Sequence, residues 1–154
     1  MAPGRLDEAL LQLVPFAGYA RAINAFRILQ EIAPHPTRRG ERGGSYRRRG
    51  ETLCRRIYGP FYGRMIARIR SYHPDLAEWI LSEGYGRVLS RPGLSIRDRE
   101  LIVVAVLAAL DVPLQLRSHV EGARRVGASE SEIRAMIAGG RPRQGPGGAS
   151  RRES

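Results

Sequence analysis

Glu100, Gln115 and His119 are the residues of this 154-residue chain whose types and spacing could do chemistry. A glutamine and a histidine four residues apart on a helix are neighbours on one face. That face also carries Val112, Gly122 and Val126, so the pattern directs it largely inward, with Arg117, Ser118, Glu121, Arg124 and Arg125 on the outer side. Glu100 opens the apolar run ELIVVAVLAALDV on the preceding segment. If residues 95–127 form an antiparallel helical hairpin closing near position 112, Glu100 and His119 face each other. At about 1.5 Å per residue their axial offset is roughly 6 to 8 Å, a span that a glutamate and an imidazole cover directly or through one water. Such a trio moves protons: His119 as general acid or base, Glu100 orienting it or sharing the proton, Gln115 hydrogen-bonding a substrate oxygen. The same spacing also serves a purely structural purpose, because a first-turn glutamate complements the helix dipole and an inward histidine is often a satisfied core residue.

The elements that must position these residues are helical throughout. Leu6, Leu10, Leu11 and Val14 line one face of a short helix that Pro15 ends. After PFAG, residues 19–32 set Ile23, Phe26, Leu29 and Ile32 at core spacing. A helix around 51–58 carries Leu53, Cys54 and Ile57, and residues 60–72 bring Phe61, Met65, Ile69 and Tyr72 together. Pro74 suits the first turn of the next helix, whose buried side runs from Leu76 through Trp79 or Ile80 to Val88. Ser95 with Asp98, and Ser129 with Glu132, read as helix starts. Residues 101–110 are apolar on every side, which marks a central helix surrounded by others. Asp111-Val112-Pro113 is a break and restart, and a last helix fades at Gly139-Gly140. No hairpin turn of the β type occurs, so the fold class is all-α.

The remaining polar and aromatic residues add little. His73 precedes Pro74 at a helix start and reads as structural or exposed, and His35 lies between two prolines and reads as solvated. Three isolated histidines without ligand spacing give no metal site, and no cofactor is expected. Cys54 is the single cysteine, which excludes a disulfide or a Cys-x-x-Cys redox pair within one chain. Tyr85, between two glycines, could line a pocket, as could Trp79, although core packing suits both.

The formal charge is +11, and every basic residue is arginine. Residues 34–56 carry eight arginines and two glutamates, and residues 139–154 four arginines and one glutamate. Nine of the eleven excess charges thus fall in stretches rich in Gly, Pro and Ser, read as a flexible linker over 33–50 and a disordered tail over 139–154. On that reading the basic excess belongs to solvated segments, and no aromatic ladder suited to base stacking accompanies it, so a nucleic-acid partner is disfavoured. The N-terminus lacks the pattern of a signal peptide and the longest apolar run is half of a membrane span, so a soluble cytoplasmic protein is expected.

GYGRVLSRPGLSIRDREL, followed by AVLAALDVPLQLRSHVEGARRVGASESEI, resembles the carboxymuconolactone decarboxylase family of the alkylhydroperoxidase D-like superfamily. The likeness runs from about residue 60 to 137, and RPGLS-x-R-x-REL and QLRSHV-x-GA-x-x-VGAS are its specific parts. The redox members of that superfamily carry a glutamate, a Cys-x-x-Cys and a histidine four residues after the second cysteine. Glu100 and His119 match the outer members; Val112 and Gln115 stand where the cysteines would be. The resemblance therefore implies a decarboxylase-like lyase working by metal-free acid/base chemistry on a small carboxylated or lactone substrate. It also implies an alkylhydroperoxidase D-like helical bundle. LLQLVPFAGYARAINAFRILQEI resembles the close of that domain, which points to a circular permutation: a closing hairpin at 6–32, the linker, and a main bundle at 51–138 in one domain spanning 6–138. The family pattern has proline where Ala20 stands. Asn24 would then be a further candidate for the pocket.

Two other functions compete. One is an antioxidant of the alkylhydroperoxidase type, for which Cys54 would need another thiol donor; the other is a non-enzymatic binding protein using its arginine-rich linker. Split helical pieces expose apolar faces in a monomer, so a homo-oligomer, trimer or hexamer, is expected.

Overall fold

The computed structural model describes residues 3–36 and 44–141, and every regular element among them is helical. The N-terminal unit is α1 (Pro3–Leu11), α2 (Leu13–Ala17) and α3 (Tyr19–Ile32). The body begins with α4 (Tyr46–Tyr58), a 3-10 turn (Gly59–Phe61) and α5 (Tyr62–Tyr72). Next, α6 (Pro74–Trp79) runs straight into a π-helical segment (Ile80–Leu89), followed by α7 (Ile96–Ala109), α8 (Pro113–Arg125) and α9 (Glu130–Gly140). The all-α expectation holds and the arrangement is that of an alkylhydroperoxidase D-like bundle. No described helix is long and apolar enough to cross a membrane.

Helix α7 is the axis. Its apolar surface is used on both sides: Val103 and Leu107 pack with Leu53, Ile57, Leu81 and Leu89, while Leu101 and Val104 pack with Ala123 and Ile133. The ends follow local chemistry. The Ser95 hydroxyl accepts from the Asp98 backbone N–H at 3.0 Å to start α7. Asp111 takes the left-handed conformation, φ 52°, at the corner, and Pro113 then opens α8 in its first turn. Ser129 and Glu132 form a reciprocal capping box at the head of α9.

Two glycines let α4 and the π segment touch backbone to backbone. A Cβ on Gly50 would lie 1.8 Å from the Leu81 carbonyl oxygen, and one on Gly86 would lie 2.1 Å from the Tyr46 carbonyl oxygen. No side chain fits at either position. This crossing sets Tyr85 into the core beside α4.

Several expectations are corrected. Pro15 does not end the first helix; the chain breaks at Gln12 and restarts, and Pro15 lies inside α2. Gln12 is fully buried because it accepts a hydrogen bond from Arg99 Nη1 at 3.2 Å. On α3 the buried residues are Ala22 and Leu29, while Ile23 and Ile32 are exposed, since only one edge of that helix meets the rest of the chain. The inward face of α5 is Tyr62 and Ile66, one residue on from the expected phase, and Phe61 and Tyr72 are exposed. Trp79 is exposed too. His35 is not solvated: its Nε2 is 3.0 Å from Asp7 Oδ1 and its Nδ1 2.8 Å from the Ala33 carbonyl, tying the end of α3 to α1.

The largest correction concerns charge. Helix α4 begins at Tyr46, capped by Ser45, so 46–50 are not linker. Arg47, Arg48, Arg49, Arg55 and Arg56 therefore stand on an ordered helix, and the basic excess is partly a property of the fold. Gly-rich composition suggested flexibility there, but Gly50 is a packing residue. Residues 33–36 and 44–45 of the linker are described and lie outside the helices, and Gly139 and Gly140, read as tail, close α9. Residues 37–43 and those beyond Arg141 lie outside the described residues.

Candidate active site

Glu100 lies in the first turns of α7 and His119 in the middle of α8, and the Asp111 corner folds the two helices together. The imidazole Nδ1 is 2.9 Å from Glu100 Oε2. Both side chains are removed from water, with exposures of 0% for Glu100 and 4% for His119. An ionised carboxylate only accepts, so His119 presents Nδ1–H to it and keeps Nε2 as the basic atom. The other carboxylate oxygen, Oε1, is buried and has no hydrogen-bond partner among the described residues. A buried acceptor left single is costly, of order 1–3 kcal/mol or more for a charged group.

Gly122 makes the approach possible. A Cβ there would sit 2.7 Å from Glu100 Oε2 and 2.6 Å from Ile57 Cγ2. A glycine one turn after the histidine is thus what allows a carboxylate to rest against α8.

Aromatic rings enclose the imidazole. Phe16 of α2 meets it edge-on with ring centres 5.4 Å apart, and Tyr58 at the end of α4 does so at 6.1 Å. The Tyr85 hydroxyl donates to the Tyr58 hydroxyl at 3.0 Å, so Tyr58 keeps its own proton to give. Burial raises both phenols, which stay protonated at neutral pH. Cys54, one turn before Tyr58, is also enclosed. Burial, aided by the negative charge of Glu100, pushes its thiol up to about 12, so no thiolate forms there.

Glu100, His119 and Tyr85 are therefore gathered into one region, with Tyr58 linking the last two. Gln115 and Asn24 are not part of it: both are exposed. Gln115 alone of the expected α8 face lies at its exposed edge, while Val112, His119, Gly122 and Val126 do face inward. The inward stripe of α8 is Leu116, His119 and Ala123, with Leu116 packed against both core clusters. Asn24 lies on the open side of α3, between exposed Ile23 and Ile28. Sequence reasoning missed Phe16 and Tyr58, and placed Gly122 on the inward face without its contact to Glu100. Tyr58 could have been found four residues after Cys54 on a helix whose inward face was already drawn; Phe16 carried no signal, since its segment reads as a turn. Among the described residues, no group of three or more His, Cys, Asp or Glu comes together to hold a metal ion.

Comparison with known proteins places this geometry. Residues 74–149 match the carboxymuconolactone decarboxylase family. The chain is 31% identical over 135 residues to "Peroxisomal protein 2" of Schizosaccharomyces pombe, covering 84% of this chain and 63% of that protein. It is 28% identical to the Saccharomyces cerevisiae protein of the same name, covering 86% of this chain and 58% of that one. The chain thus spans about three fifths of the length of these curated relatives. A shorter match, 31% over 74 residues, is to 4-carboxymuconolactone decarboxylase of Acinetobacter baylyi, covering 48% of this chain and 55% of that enzyme. The match to the carboxymuconolactone decarboxylase family thus covers residues 74–149, with Glu100 and His119 both inside it and an all-helical bundle around them.

Proposed function

We propose that this chain is a lyase that carries out decarboxylation or a related proton transfer on a small carboxylated or lactone substrate, using its own side chains as acid and base. The observation that carries the reading is the buried Glu100–His119 contact with one carboxylate oxygen left unpartnered among the described residues. In the step proposed, the C–CO2 bond breaks, CO2 leaves, and its electron pair passes to the substrate carbon. His119, having first taken a proton from water at Nε2, delivers that proton to the carbon and returns to the neutral ring, while Glu100 stabilises the imidazolium through Nδ1. Tyr58 stands beside the imidazole with a hydroxyl proton for a substrate oxygen. Phe16, which α2 carries, packs edge-on against the imidazole. In this reading residues 6–32 are the permuted closing hairpin of the domain, and its contribution to the site is that ring.

Cys54 gives the antioxidant alternative no support, because its thiol is buried and held protonated. The exposed Tyr19, Ile23, Ile28 and Ile32 on α3 favour assembly with further copies of the chain, as a trimer or hexamer. The test of the reaction is CO2 release from 4-carboxymuconolactone. The wild type should turn it over, and Glu100→Gln and His119→Ala should each lower kcat by about 10²-fold or more. Equal turnover by wild type and His119→Ala would remove the proposal.

A further inference from the structure

The arginines on α4 converge on a cleft that the acid/base pair does not use. It is an open cleft of about 350 Å³ between α4 and the turn joining the π segment to α7. Arg48, Arg49, Arg56 and Arg91 line it, and no acidic residue does among those described. Leu53, Leu89, Leu94 and Ile96 form its apolar wall. Two hydroxyls at the cleft are already committed: Thr52 donates to the Arg48 carbonyl at 3.0 Å, and Ser90 to the Gly86 carbonyl at 2.5 Å. Polar recognition therefore falls to the guanidinium groups.

Those groups are held to different degrees. Arg91 is fixed by Glu8, with Nη2 to Oε1 at 2.7 Å, and Arg49 lies over the Tyr46 ring at 4.9 Å. Arg48 and Arg56 are exposed, and two helical turns separate them on one face of α4. Fixed and exposed guanidinium groups around an apolar wall suit one ligand chemistry. Their planar forks match carboxylate or phosphate oxygens, while leucine and isoleucine take hydrocarbon. The volume is that of a site for one small molecule. We propose that this cleft binds an amphipathic organic anion, a phosphate or carboxylate head on a short hydrocarbon body, separately from the Glu100–His119 pair. A second copy of the chain is a poor occupant, because a two-fold contact would set arginine against arginine.

The experiment is calorimetric titration of the full chain with octyl phosphate and octanoate, beside ethyl phosphate and the neutral octyl glucoside. We expect saturable binding of the octyl anions, one per chain, weakening as salt is added. Arg48→Gln/Arg56→Gln, which alters only exposed side chains, should bind them about tenfold more weakly or worse. Leu94→Gln should bring octyl phosphate down to the level of ethyl phosphate. Glu100→Gln should bind as wild type does, which separates this site from the reaction whatever the fate of the decarboxylase reading. The proposal is overturned if the octyl anions do not saturate, if the double arginine variant binds them equally, or if octyl glucoside binds as tightly. It is also overturned if phosphatidylcholine vesicles containing phosphatidic acid capture the chain while free octyl phosphate does not.

Discussion

Arg99 and Glu100 are adjacent in the chain and both are buried, yet their surroundings are opposite. Arg99 points toward α1 and the turn before α7. Its Nη1 donates to Gln12, and its Nη2 to Glu8 at 3.0 Å and to the carbonyls of Arg91 and Pro92. Glu8 in turn takes Arg91 through both oxygens. Glu100 points toward α8 and, among the described residues, its side chain has His119 as its one hydrogen-bond partner. Arg99 draws acceptors from several parts of the chain and leaves only its Nε without a partner among the described residues, whereas Glu100 has one contact and leaves Oε1 without one. The first arrangement holds the N-terminal unit onto the body. The second leaves an unmet demand for a hydrogen bond, which a substrate or a proton can meet.

The contrast breaks most visibly at Arg99. Arg99→Leu removes the shared partner of Glu8 and Gln12 and should cost about 3–5 kcal/mol in chemical denaturation, the usual cost of breaking a buried ionic cluster. Gly122→Ala should cost about 1–3 kcal/mol, because the new methyl meets Glu100 and Ile57 below contact distance. Glu100→Gln should stay within about 1 kcal/mol of wild type, since the amide keeps an oxygen for His119 Nδ1 and the lost charge had no second partner. A Glu100→Gln loss as large as that of Arg99→Leu would erase the distinction and make Glu100 a structural residue.

Acidity sharpens the same comparison. Burial alone would raise the Glu8 carboxyl, but hydrogen bonds from Arg91 and Arg99 outweigh it and hold the group below its ordinary 4.5. Its contribution to stability is therefore present above about pH 4.5 and lost as pH falls through the lowered folded value. An acid-unfolding series should show that loss in wild type and a shallower one in Glu8→Gln. The smallest effect is at His35, raised above 6.5 by its hydrogen bond to the Ala33 carbonyl, opposed by burial, and by Asp7. The sign is the reverse: its contribution is full below 6.5 and fades as pH rises through the raised value. Hydrogen exchange at the end of α3 should quicken over that window in wild type and not in His35→Gln.

What was legible in the sequence was what local chemistry decides. Ser95, Pro113 and Ser129 mark helix starts by capping and first-turn rules that act within four residues, and they suffice to fold α7 against α8. The Glu100–His119 meeting follows from that hairpin. Illegible were facts set by neighbours distant in sequence. Whether Gln115 or Leu116 faces inward depends on where the edge of the covered face falls, which a four-residue spacing does not decide. Gly50 and its flanking arginines read as linker because glycine-rich composition looks the same in a loop and at a close helix crossing. Phe16 reaches His119 only through the packing of α2 on the body.

The glycine crossing of α4 and the π segment has a mechanical meaning. Where side chains separate two helices, rotamer changes can absorb a small shift of one before it reaches the other. At Gly50 and Gly86 carbonyl groups bear directly on the opposing backbone, so there is no such compliance. Helix α4 carries cleft arginines toward its start and Tyr58 at its end, while the π segment carries Tyr85. These elements are stiffly jointed at that point: a displacement of one is delivered to the other undamped.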